Sequence, residues 1–235
     1  MKNKSIIFIV LAVALLFACE NKDKTEMLFQ EAEQRERDIV RGIDAIAQCR
    51  ANYEKILLND PTSKLAPVAC LKLGKLSEIF GHYEEAIDTY RKLLSAFPED
   101  TSCAAALLSM AKIYQSQLGE RRKALELYDQ LILVYPQTGA AFEGMVQRGM
   151  ILTDYKKWQQ AIEAFEAIIK NHPNHKICDD LAFRIADIWQ IQLQDSLKAA
   201  EAYQHLIRTF PRSSWIKYSQ ERLTQIAQGG FTNEK

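Results

Sequence analysis

His172, His175 and Cys178 form an H-x₂-H-x₂-C run, the one spacing in this sequence that resembles a metal-binding pattern. Imidazole and thiolate donors this close would suit zinc or copper. His172, however, precedes a proline, His175 falls in the turn that follows, and Cys178 opens the next helix. Turn formation accounts for all three, and no metal or other cofactor is expected. Nor does the chain carry a G-x-S-x-G elbow, an H-E-x-x-H pair, a Walker loop or a glycine-rich dinucleotide turn. Acidic pairs such as Glu84-Glu85 and Asp179-Asp180 fit helix starts, where carboxylates meet the positive end of the helix dipole. The reading is of a binding protein, not an enzyme.

The elements behind these residues are set by proline. Five of the six prolines, Pro61, Pro98, Pro136, Pro173 and Pro211, recur at intervals of 37, 38, 37 and 38 residues. Twelve positions before each stands a small residue, Cys49, Ala86, Ala124, Ala161 and Ala199, and eight before each an aromatic, Tyr53, Tyr90, Tyr128, Phe165 and Tyr203. A second small residue lies 12 or 13 positions further upstream in four units, as Gly74, Ala111, Gly149 and Ala186. Such a period predicts helix pairs stacked in an array. Gly74 opposite Ala86, and Gly149 opposite Ala161, would let antiparallel helices approach closely, with the aromatic filling the space beside the contact. Proline then closes each unit, because it cannot continue a helix.

Small, small, aromatic and proline in these places resemble the tetratricopeptide repeat (TPR). The clearest copies run from Leu73-Gly74 through Gly81, Tyr83, Ala86 and Tyr90 to Pro98, and from Gly149 through Tyr155, Trp158, Ala161 and Phe165 to Pro173. The resemblance implies an all-α, right-handed TPR-type solenoid of about five helix-turn-helix repeats. The period exceeds the standard unit by three or four residues, read as longer turns after each proline, similar to those of bacterial envelope TPR proteins. The first unit is degenerate: its leading helix, within residues 25–41, lacks the small marker. Ser213 to Gln228 reads as a lone capping helix ended by Gly229-Gly230. The solenoid is thus expected over 25–228 as one continuous domain, with 229–235 as a tail.

The alignment also bears on the cysteines. Cys103 and Cys178 hold equivalent places two repeats apart, beyond disulfide reach. Cys49 and Cys70 flank a single turn and are the one pairing left open; otherwise all four are small residues buried in helix packing.

At the N-terminus Met1-Lys2-Asn3-Lys4 precedes an apolar run from Ile6 to Ala18, too short to span a bilayer but suited to a secretory signal over 1–18. Leu16-Phe17-Ala18-Cys19 resembles the lipobox of bacterial lipoproteins, which implies cleavage, lipidation of Cys19 and a membrane anchor. Residues 19–24 would form a tether of at most roughly 20 Å. Glu20 after the cysteine, where the resemblance associates aspartate with inner-membrane retention, favours the outer membrane, facing the periplasm. Loss of Lys2 and Lys4 leaves 28 basic against 30 acidic residues, which argues against nucleic acid as a ligand.

In TPR arrays the leading helices line a concave groove. The resemblance places Lys75, Glu78 and Ile79 there, then Lys112, Gln115 and Ser116, Met150, Thr153 and Asp154, and Asp187, Gln190 and Ile191, running from basic to acidic. A carboxylate clamp would need more Lys, Arg and Asn than Lys75 and Lys112 supply; a mixed groove suits an extended or helical segment of another envelope protein. Size, anchor and repeat number look like the TPR lipoprotein of the outer-membrane β-barrel assembly machine. The uniform long-turn repeats also resemble the periplasmic TPR protein associated with the Tol-Pal system.

Overall fold

The computed structural model describes residues 21–37 and 43–229, with no side-chain account for 43–45. The signal segment, Cys19 and most of the tail lie outside the described residues. Within them the chain is all helix: α1 over 21–37, α2 Ile43–Asn59, α3 Ala66–Ile79, α4 Tyr83–Ala96, α5 Ser102–Lys112, α6 Arg121–Val134, α7 Gly139–Asp154, α8 Trp158–Asn171, α9 Cys178–Asp187, α10 Ser196–Thr209 and α11 Ile216–Ala227. α5 and α9 each continue into a π-helical turn, Ile113–Gln117 and Ile188–Gln192. No helix among the described residues is long and apolar enough to cross a membrane.

Packing groups the chain into two compact units that meet within α6, at Leu127/Tyr128. In a repeat array each helix pair touches only its neighbours, so cohesion is local by construction.

In the first unit the close approach of α3 and α4 differs in detail from the expectation. The space freed by Gly74 is taken by the aromatic itself: a Cβ at Gly74 would lie 2.3 Å from Cε1 of Tyr90. The first repeat also has a small marker after all. Ala32 on α1 is fully buried, and its carbonyl accepts from Cys49 Sγ at 3.3 Å. It escaped the alignment because it precedes Cys49 by 17 residues instead of 12 or 13. Phe29 meets Tyr53 edge-on at 5.8 Å in the same core.

The second unit repeats the device. A Cβ on Gly149 would stand 2.3 Å from Phe165 Cε1. Phe165 joins Ile162, Ile168, Leu181 and Ile185 in one core cluster, and Ala186, Ala199 and Tyr203 form the next. α11 closes the unit by stacking Trp215 on Phe183, with centroids 4.1 Å apart and planes within 8°. It ends with Gly229 in the left-handed region, φ 68°.

The alternation of 37 and 38 residues also has a structural source other than turn length. Both repeats with a 13-residue spacing, Ala111 to Ala124 and Ala186 to Ala199, are those whose leading helix ends in a π turn. A π turn is a one-residue insertion in an α-helix. The connections after proline are long as well, six residues between Asn59 and Ala66 and six between Asn171 and Cys178. The excess over the standard period is therefore shared between these turns and the π insertions.

Among the described residues, each turn inside a repeat places one residue at positive φ: Gly81 at 74°, Gly119 at 69°, Lys156 at 56° and Gln194 at 54°. Glycine occupies this left-handed position without strain in two repeats, and a residue with a Cβ in the other two.

Candidate protein-binding surface

Three repeat tyrosines bring a polar hydroxyl into the core, and in each of these repeats the leading helix answers it from one position. Tyr53 Oη donates to Glu36 Oε2 at 3.1 Å, Tyr90 Oη to Glu78 Oε2 at 3.0 Å, and Tyr203 Oη to Gln190 Oε1 at 2.7 Å. Glu36, Glu78 and Gln190 stand four residues after Ala32, Gly74 and Ala186, one helical turn beyond the small marker. Where the aromatic is Phe165, the equivalent residue is Thr153, whose hydroxyl turns back to the Gly149 carbonyl at 2.8 Å.

This corrects the expected groove. Gln190 is buried, 6 % exposed, and serves the Tyr203 hydroxyl, so it offers nothing to a partner. Glu78 is half-buried and shares its carboxylate with Tyr90. Met150 packs against the core of the second unit. Asp187 is half-buried; burial raises its carboxyl above the ordinary 3.8, against the opposing pull of Arg222 and Arg184. Lys112 and Gln115 are half-buried, whereas Asp154 and Ile191 are exposed.

In the first unit three of the anticipated residues come together. Lys75, Glu78 and Ile79 line an open cleft of about 390 Å³ with Tyr83, Ser109 and Gln117. Ile79 is 64 % exposed, and Lys75 and Gln117 are exposed. The cleft sits where α3 ends and the π turn of α5 carries Gln117 out of the helix. It offers an apolar side chain, an ammonium and an amide within one concavity, suited to a short peptide segment.

The histidine and cysteine residues do not converge. His172 and His175 both pack on Phe142, with centroid distances of 4.9 and 4.1 Å. The Cys178 thiol donates to the His172 carbonyl at 3.1 Å. Cys103 does the same to Phe97 O at 3.0 Å, so the two equivalent cysteines both satisfy the carbonyl of the residue that caps the preceding helix. No group of three or more His, Cys, Asp or Glu among the described residues is arranged to hold a metal. Cys49 and Cys70 are free buried thiols that donate to different carbonyls, Ala32 O and Thr89 O. Burial pushes both up to about 11.

A tetratricopeptide repeat family model matches residues 105–138 and 143–175, and a second matches residues 67–100. Residues 67–100, 105–138 and 143–175 thus each match a tetratricopeptide repeat. Solved structures agree at the level of fold. A tetratricopeptide repeat protein from Parabacteroides merdae is similar with TM-score 0.60 and 18 % identity, over 88 % of this chain and 73 % of that one. YrrB, described as a TPR protein with an unusual peptide-binding site, gives 0.55 and 18 %, over 83 % and 90 %. PilF of Pseudomonas aeruginosa gives 0.53 and 17 %, over 89 % and 90 %. No curated protein matches the chain at a significant level. Stacked helical repeats of this kind present extended surfaces that can bind other proteins.

One such surface on the tetratricopeptide repeats was not anticipated. In the second unit α6, α7 and α8 enclose a cleft of about 580 Å³, with Ile132, Leu133, Pro136, Met145 and Ala164 among its walls. Arg148 Nε and Asp129 Oδ1 form an ion pair beside it. Leu133 is 81 % exposed. The sequence signal was available: three positions before the repeat proline stand Ser95, Lys170 and Arg208, but Leu58 and Leu133 in the first and third units. An apolar residue at a place otherwise polar marks a surface with something to cover.

Proposed function

We propose that this protein is a lipid-anchored scaffold of the bacterial cell envelope, held through Cys19 and gripping a segment of another envelope protein with the leading helices of its repeats. The observation that carries the reading is the Lys75, Ile79 and Gln117 cleft, an exposed apolar side chain flanked by polar groups along the leading helix α3 and the π turn of α5. The peptide-binding site of YrrB supports it by likeness of fold. The lipobox-like Leu16-Phe17-Ala18-Cys19 supports the anchor, and Glu20 the outer membrane. Barrel assembly is the leading specific role, on size, anchor and repeat number. The Tol-Pal role is the second reading, favoured by the uniform long-turn repeats and the closing helix α11.

The test is a crosslinking pull-down from membranes with the intact chain and with Lys75→Ala, Ile79→Ser and Gln117→Ala combined. Barrel-assembly components captured by the parent and lost with the variant support the leading role. Tol-Pal components instead move the assignment to envelope maintenance. Partners retained equally by the variant refute the binding face.

A further inference from the structure

The lipid anchor and the start of α1 are closer than a loose tether would make them. The described helix already begins at residue 21, and Thr25, where the repeat domain was expected to start, is buried a turn inside it. Thr25 Oγ1 donates to Asn21 O at 2.8 Å and to Asp60 Oδ2 at 3.3 Å, tying the first turn of α1 to the turn after α2. Only two residue steps separate Cys19 from Asn21, a reach of at most about 7 Å. A bilayer holding Cys19 is therefore held against this end of the first unit.

We infer that the edge of the first unit formed by the start of α1, the last turn of α2 and the 60–65 turn is its lipid-facing surface, seated on membrane headgroups. The inference rests on the lipid-anchor reading above. The edge is built for such a neighbour. Leu58 on the last turn of α2 is 81 % exposed, Pro61 and Lys64 are exposed beside it, and Lys22 and Lys24 are exposed on the first turn of α1. Asp23, Glu26 and Asp60 balance those cations, so the acyl anchor, and not net charge, supplies the attachment. Lysine side chains can reach headgroup phosphates while Leu58 and Pro61 meet the interface.

The consequence concerns the binding cleft. α3 leaves the lipid-facing edge at Ala66 and runs 14 residues to Ile79, about 20 Å along its axis. The Gly81 turn, and the cleft holding Lys75 and Ile79, thus lie at the end of this unit remote from the bilayer, open to a partner from the aqueous side.

Site-directed quenching tests this on the full lipidated chain. Leu58→Cys, Lys64→Cys and His82→Cys are labelled one at a time with a fluorophore; the native thiols are buried and do not compete. Each is reconstituted into phosphatidylethanolamine/phosphatidylglycerol vesicles carrying a headgroup-attached nitroxide, with unacylated Cys19→Ser protein as control. The expected result is flotation with the vesicles, loss of emission at 58 and 64, and none at 82. Flotation with quenching at 82, or at none of the three positions, overturns the orientation while leaving the anchor intact. Failure of the parent to float more than Cys19→Ser overturns the anchor reading and this inference with it.

Discussion

Buried tyrosine decides much at the residue scale. Tyr90 and Tyr203 make the same bond from the same repeat position, but their acceptors differ in access to water. Glu78 is half-exposed and can recover hydration, whereas Gln190 is buried and its Nε2 already has no protein partner among the described residues. Tyr203→Phe should therefore cost about 1–3 kcal/mol and Tyr90→Phe about 0.5–1 kcal/mol, read from urea unfolding of each variant. Equal losses would show that acceptor burial is not what matters. Burial also keeps Cys49 and Cys70 protonated, raising them from 9.0 to about 11, and pushes the tyrosines upward in the same direction. The folded state thus prefers the neutral thiol, so this contribution is complete below about pH 9 and is lost as pH rises through about 11. Melting temperature should fall across that interval; a flat profile would contradict the burial of these groups. Gln190 was misplaced from sequence because a polar residue on a leading helix can face a ligand or satisfy a tyrosine, and residue type alone does not distinguish the two; Glu78 does both. The correlation that does so was present: Tyr with Glu or Gln four residues after the marker, Phe165 with Thr153.

At the scale of elements the glycine repeats and the alanine repeats solve one packing problem in two ways. With glycine the ring of the trailing helix lies on the leading helix itself, and the spacing is 12. With Ala111 and Ala186 the leading helix ends in a π turn and the spacing is 13. Gly149→Ala should cost about 1–3 kcal/mol, because the new methyl meets the buried Phe165 ring and no π turn is there to shift it. Conversely, deleting Gln192 from the second π turn should destabilise the chain less when combined with Ala186→Gly than alone. Additive losses in urea unfolding would break the proposed link. Lys156→Gly and Gln194→Gly relieve a side chain at positive φ and should each raise stability by about 0.5–1 kcal/mol, measured the same way. Proline, the small markers and the aromatics made the helix pairs legible from sequence. The extra residue in alternate units was visible only as a number, and turns and π insertions lengthen a repeat alike. Ala32 was hidden because its separation from Cys49 breaks the period that revealed the others.

On the proposed reading, the whole molecule combines a scaffold, carried by the repeats, with an address, the membrane anchor proposed for the N-terminal segment. Tying α1 to the 60–65 turn through Thr25 and Asp60 would connect the two, because it would fix which edge of the first unit the proposed anchor presents to lipid. The apolar cleft around Leu133 adds a second exposed surface in the other unit, invisible to a reading that looked for ligands only on leading helices.

On the proposed function, the α3–α5 cleft holds a segment of another envelope protein. Photo-crosslinking in intact cells, with a photoreactive amino acid at position 79 and a control at exposed position 159, tests it most directly. The account predicts one discrete adduct from position 79 that disappears with Lys75→Ala and Gln117→Ala, and none from position 159. Identical adducts from both positions, or none from position 79 in membranes where the protein is anchored and abundant, would contradict it.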